Sequence, residues 1–128
     1  MNEKEQQANQ LNQEGESCLQ GGQIDLAITH LEKAISLSPE HAQAHNNLAC
    51  AYVLQNNYPT ALEYITKAYG LDQHNQAIVL NTGDILTNLG VANDALLVYR
   101  TYLDHYPDDP LVIEKMNELE EAQSRSEV

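Results

Sequence analysis

An all-α fold is predicted for this chain: a right-handed α-solenoid of antiparallel helix pairs, about seven helices in all. Three observations predict it. The 128-residue sequence agrees with itself at an offset of 34. Residues that tolerate a positive φ recur at one place in each unit, as Gly22, Asn56 and Gly90. The stretches between these breaks carry apolar residues at helical rather than strand spacing.

The columns of the repeat give each element its reason. Gly15, Ala49 and Gly83 form a small-residue column, and Ala27, Ala61 and Ala95 a second. These are the places where two antiparallel helices can approach closely, Gly15 with Ala27, Ala49 with Ala61, and Gly83 with Ala95. Ala34 and Ala68 form a third column, from which Tyr102 departs, and Pro39 and Pro107 a fourth, with Gln73 between them. Bulky columns interleave: Leu31, Ile65 and Tyr99; Ile28, Leu62 and Leu96; Cys18, Tyr52 and Leu86. Gly22, Asn56 and Gly90 end the first helix of each unit on a left-handed residue. Asp25 and Asn93 are expected as N-caps of the second helices. Pro59 takes that place in the middle unit, where a missing N–H costs little. Pro39 and Pro107 stop the second helices, because proline disfavours helix in the residue before it. The chain therefore divides into repeat 1 (8–41), repeat 2 (42–75), repeat 3 (76–109) and a closing helix (110–124). Polar ends at 1–7 and 125–128 are expected to fray. The closing helix carries Leu111, Val112, Met116 and Leu119 on one face and Glu114, Lys115, Glu118, Glu120 and Glu121 on the other. It reads as a solubilising cap on the last repeat, or alternatively as a detachable docking helix.

Composition excludes several classes of function. Nineteen acidic residues against six basic ones give a net charge of -13, so neither a phosphate backbone nor an anionic membrane is an expected partner. Mean hydropathy is -0.47, and no stretch approaches the roughly 18 apolar residues of a membrane span. No apolar run follows Lys4, so no secretory signal is expected, and the location expected is cytoplasmic. Hydrophobic residues make up 42%, enough for a packed core. Cys18 and Cys50 are too few for a disulfide framework and are expected as thiols, Cys18 as a small buried hydrophobe. His41 and His45 lie one helical turn apart, but a zinc site needs about four ligands, so both are expected as surface histidines and no metal or cofactor is implied. No phosphate-cradling loop, nucleophile elbow or metalloprotease motif occurs; Gly21-Gly22 is a turn between helices. The chain is not expected to be an enzyme.

A 34-residue helix–turn–helix of this pattern resembles the tetratricopeptide repeat family, most strongly in the stretches Asn46–Tyr52 and Asn57–Leu62. It departs where the family often has tryptophan, with Leu11, His45 and Val79, and where a leucine like Leu48 is usual, with Glu14 and Thr82. The resemblance implies a concave groove lined by the first helix of each unit. Unit one would contribute Asn9, Asn12, Gln13, Glu16, Leu19 and Gln20, and unit two Gln43, Asn46, Asn47, Cys50, Val53 and Leu54. Unit three would contribute Ala77, Leu80, Asn81, Asp84, Thr87 and Asn88. Amides dominate, and each offers donors and acceptors to a peptide backbone; Val53, Leu54 and Leu80 would form an apolar floor. Family members that grip an acidic C-terminal tail do so with cations. The matching positions here are Asn12, Glu16, Asn47, Ala77 and Asn81, of which only Asn47 fits, so that carboxylate clamp is absent. The expected partner is a protein or peptide of neutral to basic character, bound by a monomer acting as adaptor or secretion-type chaperone. The alternative is an assembly module that self-associates or docks through its ends or convex face.

Overall fold

The computed structural model describes residues 2–126. Among them seven helices follow in order: α1 (Glu3–Gln20), α2 (Ile24–Leu37), α3 (Ala42–Leu54), α4 (Tyr58–Leu71), α5 (Gln76–Asn88), α6 (Ala92–His105) and α7 (Pro110–Ser126). No strand occurs among the described residues. Contacts divide the chain, read from sequence as one domain, into two compact units, Met1–Asp72 and Gln73–Val128.

The first unit holds two helical hairpins, α1 on α2 and α3 on α4, with α2 packed on α3 and α1 touching α3. Leu31, Leu48, Ile65 and the alanines at 27, 34, 49, 61 and 68 are fully buried. The second unit holds the hairpin of α5 on α6, closed by α7, which packs on both. Its core is Ile78, Val79, Ile85, Leu96, Tyr99, Tyr102 and Val112.

The left-handed residues stand where the sequence places them, with φ of 78° at Gly22, 60° at Asn56 and 83° at Gly90. Each closes its turn by the same pair of main-chain bonds. The N–H of the next residue reaches back five positions, Gln23 to the Cys18 carbonyl at 2.8 Å, Asn57 to Tyr52 at 2.8 Å, and Val91 to Leu86 at 3.0 Å. The left-handed residue itself donates to Leu19, Val53 or Thr87. This is the Schellman closure of a helix end, made three times in register.

The helix starts differ from expectation. Asp25 and Asn93 lie inside their helices, one residue past the first; the caps are Gln23, Asn57 and Val91, and of these only Asn57 caps with its side chain, accepting from the Thr60 N–H. The true capping column belongs to the first helices. His41 Nδ1 accepts from the Ala44 N–H at 3.1 Å, Asn75 Oδ1 from Ile78 at 3.1 Å, and Asp109 Oδ1 from Val112 at 3.3 Å. These three residues are 34 apart and share the ability to accept a hydrogen bond, though not a residue type. At the N-terminus Asn2 Oδ1 accepts from the Glu5 N–H at 2.8 Å, and Glu3 and Glu5 lie in the first turn. That cap and the acidic first turn suit the positive end of a helix. Residues 3–7, expected to fray, are accordingly helical, and α7 runs on through Ser126.

The close approach within a hairpin also has a different partner from the one expected. A Cβ placed on Gly15 would stand 2.6 Å from Leu31 Cγ, and one on Gly83 would run into the Tyr99 ring. The hollow is filled by the bulky column, not by Ala27 or Ala95, which are buried nearby. Of the predicted stripe on α7, Val112 is buried and Met116 and Leu119 are half-buried, whereas Leu111 is exposed.

Candidate functional site

In the first unit, α1 and α3 bring together part of the predicted amide set. Asn47 on α3 donates from Nδ2 to Asn12 Oδ1 on α1 at 2.8 Å. Asn12 is only 8% exposed and Asn46 is buried too, so these two amides serve the fold; Asn47 is half-buried and stands at the surface end of the pair. Further along α3, Cys50 and Val53 are half-buried and Leu54 is 58% exposed. Gln13 and Glu16 on α1 are exposed. Burial pushes the Cys50 thiol up from its usual pKa, and the Glu16 charge adds to this. A thiol held protonated is a poor nucleophile.

The two histidines expected at the surface are not there. His45, in a position where the family often has tryptophan, is buried, and its Nε2 donates to the Pro39 carbonyl at 2.9 Å. Its Nδ1 is buried without a partner among the described residues, and its ring lies 6.2 Å from that of Tyr64. His41 is half-buried: Nδ1 caps α3, which requires the proton to be on Nε2, and Nε2 donates to Asn9 Oδ1 at 2.7 Å. Burial lowers the His41 pKa, with neighbouring His45 acting in the same direction.

In the second unit, Leu80 and Asn81 are half-buried on α5, and Asp84 and Asn88 are exposed one turn apart. Asn88 Nδ2 donates to the Asp84 main-chain carbonyl at 2.8 Å, and Lys115 of α7 lies 3.6 Å from the Asp84 carboxylate. Asp109 ties three helices together. Its carboxylate accepts from the Tyr102 hydroxyl at 2.8 Å, from Gln76 Nε2 at 2.9 Å, and from the first N–H groups of α7. Burial works to raise its pKa, but those hydrogen bonds outweigh it and hold the carboxyl below its usual value. Neither His41 nor Asp109 was singled out as a functional or capping residue from the sequence. The signal that finds them is their spacing of 34 from Asn75.

Two family profiles match the chain, one described as "TPR repeat" over residues 15–56 and one as "Tetratricopeptide repeat" over residues 49–110. The chain belongs to the tetratricopeptide repeat (TPR) family. A TPR repeat-containing protein of Rhizobium etli is 27% identical over 95 residues, 74% of this chain and 47% of its own length. Tetratricopeptide repeat protein 36 of Caenorhabditis elegans is 39% identical over 62 residues, 48% of this chain and 35% of its own. The chain thus spans about half or less of these curated relatives. Among solved structures, the first TPR of Spaghetti (RPAP3) bound to the HSP90 peptide SRMEEVD superposes with a TM-score of 0.85 at 20% identity, covering 94% of this chain and 98% of that one. The N-terminal domain of stress-induced protein-1 of Caenorhabditis elegans gives 0.78 at 20% identity, covering 94% and 99%. At such identities the likeness is one of fold, the all-α TPR solenoid. This TPR protein is therefore a protein–protein interaction module by family, and no helix among its described residues is long and apolar enough to cross a membrane.

Proposed function

We propose that this TPR protein is a non-enzymatic, cytoplasmic adaptor or secretion-type chaperone that holds a neutral to basic peptide segment of its partner against the first helices of its repeats. The observation that carries the proposal is the Asn12–Asn47 bond at 2.8 Å. It orients Asn47 from a buried anchor, so that its remaining hydrogen-bonding capacity can be offered to a peptide backbone at little entropic cost. Leu54, 58% exposed two turns further along α3, supplies an apolar seat for a partner side chain. The net charge of -13 favours encounter with a cationic segment, and salt should weaken it.

The test is calorimetric titration with a panel of neutral, basic and acidic peptides. Asn47→Ala should weaken binding several-fold, and Leu54→Asp should abolish it by placing a charge in the apolar seat, while exposed changes on the second helices, Glu32→Ala and Lys67→Ala, do little. If the second-helix changes abolish binding and the α3 changes do not, the proposal fails. One observation favours the alternative, an assembly module: Leu97, on the second helix of its repeat, is 62% exposed. Sedimentation that becomes concentration-dependent and is cured by Leu97→Glu would support that reading.

A further inference from the structure

Within the second unit, Asp84 and Thr87 of α5, Tyr99 of α6, and Lys115, Glu118, Leu119 and Ala122 of α7 line a crevice of about 200 Å³. That space admits one long side chain and not a helix. Its floor is unusual for a core position. Tyr99 is 2% exposed and its ring end rests against the Gly83 backbone, yet its hydroxyl makes no hydrogen bond among the described residues. The equivalent residues of the other repeats, Leu31 and Ile65, are apolar and fully buried; packing alone asks for no hydroxyl there. The ring is enclosed, but its hydroxyl is not a fully enclosed polar atom; Tyr99 lines the crevice, which leaves that oxygen available to a group seated there. Burial first, and then the charges of Asp84 and Glu118, raise its pKa to about 12, so both carboxylates act on the same atom. A cation of the chain's own already rests at this rim: Lys115 Nζ lies 3.6 Å from Asp84 Oδ1, with both side chains about half exposed.

We propose that this crevice receives one arginine side chain of the bound partner, the Asp84 and Glu118 carboxylates holding the guanidinium and the Tyr99 hydroxyl accepting one of its N–H groups. The inference rests on the peptide-binding reading above and names the partner's chemistry. Arginine fits better than lysine, because a planar fork of five donors can serve several acceptors at once and is more weakly hydrated than an ammonium. Lys115 is the intramolecular stand-in, a single point charge on one carboxylate, displaced when the guanidinium enters.

The test uses the full chain and a probe too small to need any other surface, N-acetyl-arginine amide, with N-acetyl-citrulline amide as its uncharged isostere. In ¹H–¹⁵N spectra the arginine probe should shift the amides of Asp84, Thr87, Glu118 and Leu119 saturably, and the citrulline probe should not. Glu118→Gln should raise Kd roughly threefold or more, the scale of a half-exposed charge pair. Lys115→Ala should lower Kd by removing the competitor. Tyr99→Phe should raise Kd while leaving Tm unchanged or higher, because it deletes a hydroxyl the fold does not use; a purely structural tyrosine would show no change in Kd. Absence of saturable shifts, equal response to citrulline, or a Kd unmoved by Glu118→Gln and Tyr99→Phe overturns the proposal. Asn47→Ala, in the other compact unit, should leave the arginine probe unaffected. If the probe binds as expected while the peptide panel is indifferent to Asn47, the peptide-binding reading falls and the arginine site stands; the reverse result overturns only the arginine site.

Discussion

Gly83→Ala should destabilise this protein although alanine is the better helix former. In an exposed helix interior, replacing glycine by alanine gains up to about 1 kcal/mol. Position 70 offers that gain unopposed, since Gly70 lies in α4 and an added Cβ meets nothing within 4 Å. At position 83 the same atom would fall on the Cε1, Cζ and hydroxyl atoms of Tyr99. Tyr99 is 2% exposed and cannot swing aside without displacing the α5–α6 contact, so overpacking of about 1–3 kcal/mol applies and outweighs the propensity gain. The two substitutions should therefore move Tm in opposite directions, each by a few degrees, on the scale of roughly 3–5 °C per kcal/mol for a chain of this size. Circular dichroism melts of the two variants side by side are sufficient. A second-site change sharpens the test. The middle repeat has Ala49 and Ile65 in these columns, both fully buried. Gly83→Ala with Tyr99→Ile recreates that pair, and the double variant should recover about 1 kcal/mol or more relative to the sum of the single changes. If Gly83→Ala raises Tm as Gly70→Ala does, the close-packing argument is wrong.

His41 is protonated more readily unfolded than folded, since its folded pKa is lowered; its stabilising contribution is present above about pH 6.5 and is lost as pH falls through the lowered value. Chemical denaturation at pH 7.5 and pH 5.5 should show that loss, and His41→Asn, which copies the cap at Asn75, should flatten it. Asp109→Ala removes a helix cap and strands the Tyr102 hydroxyl, and should cost about 2–3 kcal/mol by urea titration; because the Asp109 pKa is also lowered, its own contribution persists through mild acid and fades only as pH falls below the ordinary carboxylate range. Deleting residues 110–128 uncovers the face of α6 on which α7 packs, and sedimentation should then show association; a truncated form that stays monomeric and equally stable would make α7 dispensable.

The fold was legible because the repeat is written in residues whose physics is strict. A left-handed turn selects Gly22, Asn56 and Gly90, and a helix crossing selects Gly15, Ala49 and Gly83, so each column survives in plain sight. The first-helix caps were hidden for the opposite reason: histidine, asparagine and aspartate all accept one hydrogen bond, and a column of function without a column of identity leaves no repeat to see. The site was less legible still. Asn12 and Asn47 share a family face, yet periodicity cannot tell that one amide is buried to hold the other. Nor can it tell that the hydroxyl of Tyr99, in a column whose other members are Leu31 and Ile65, lines a crevice instead of the core.

The two kinds of connection in this chain differ in what they allow. The turns at Gly22, Asn56 and Gly90 are each closed by main-chain bonds, and only the middle one adds a side-chain cap, Asn57 on the Thr60 N–H, so the side chains at the turn tips carry little obligation beyond tolerance of one left-handed residue. The connections ending at His41 and Asp109 are held by side chains that also reach back to an earlier helix, to Asn9 within α1 and to Gln76 at the start of α5. Extra residues inserted at the first kind lengthen a surface loop, at a cost that grows slowly with length. Inserted at the second kind, they pull a cap off its helix and its anchor together. A reporter peptide or a new chain terminus therefore belongs between Gly21 and Gln23, between Gln55 and Asn57 or between Leu89 and Val91, and length variation among natural relatives should collect at those same three tips.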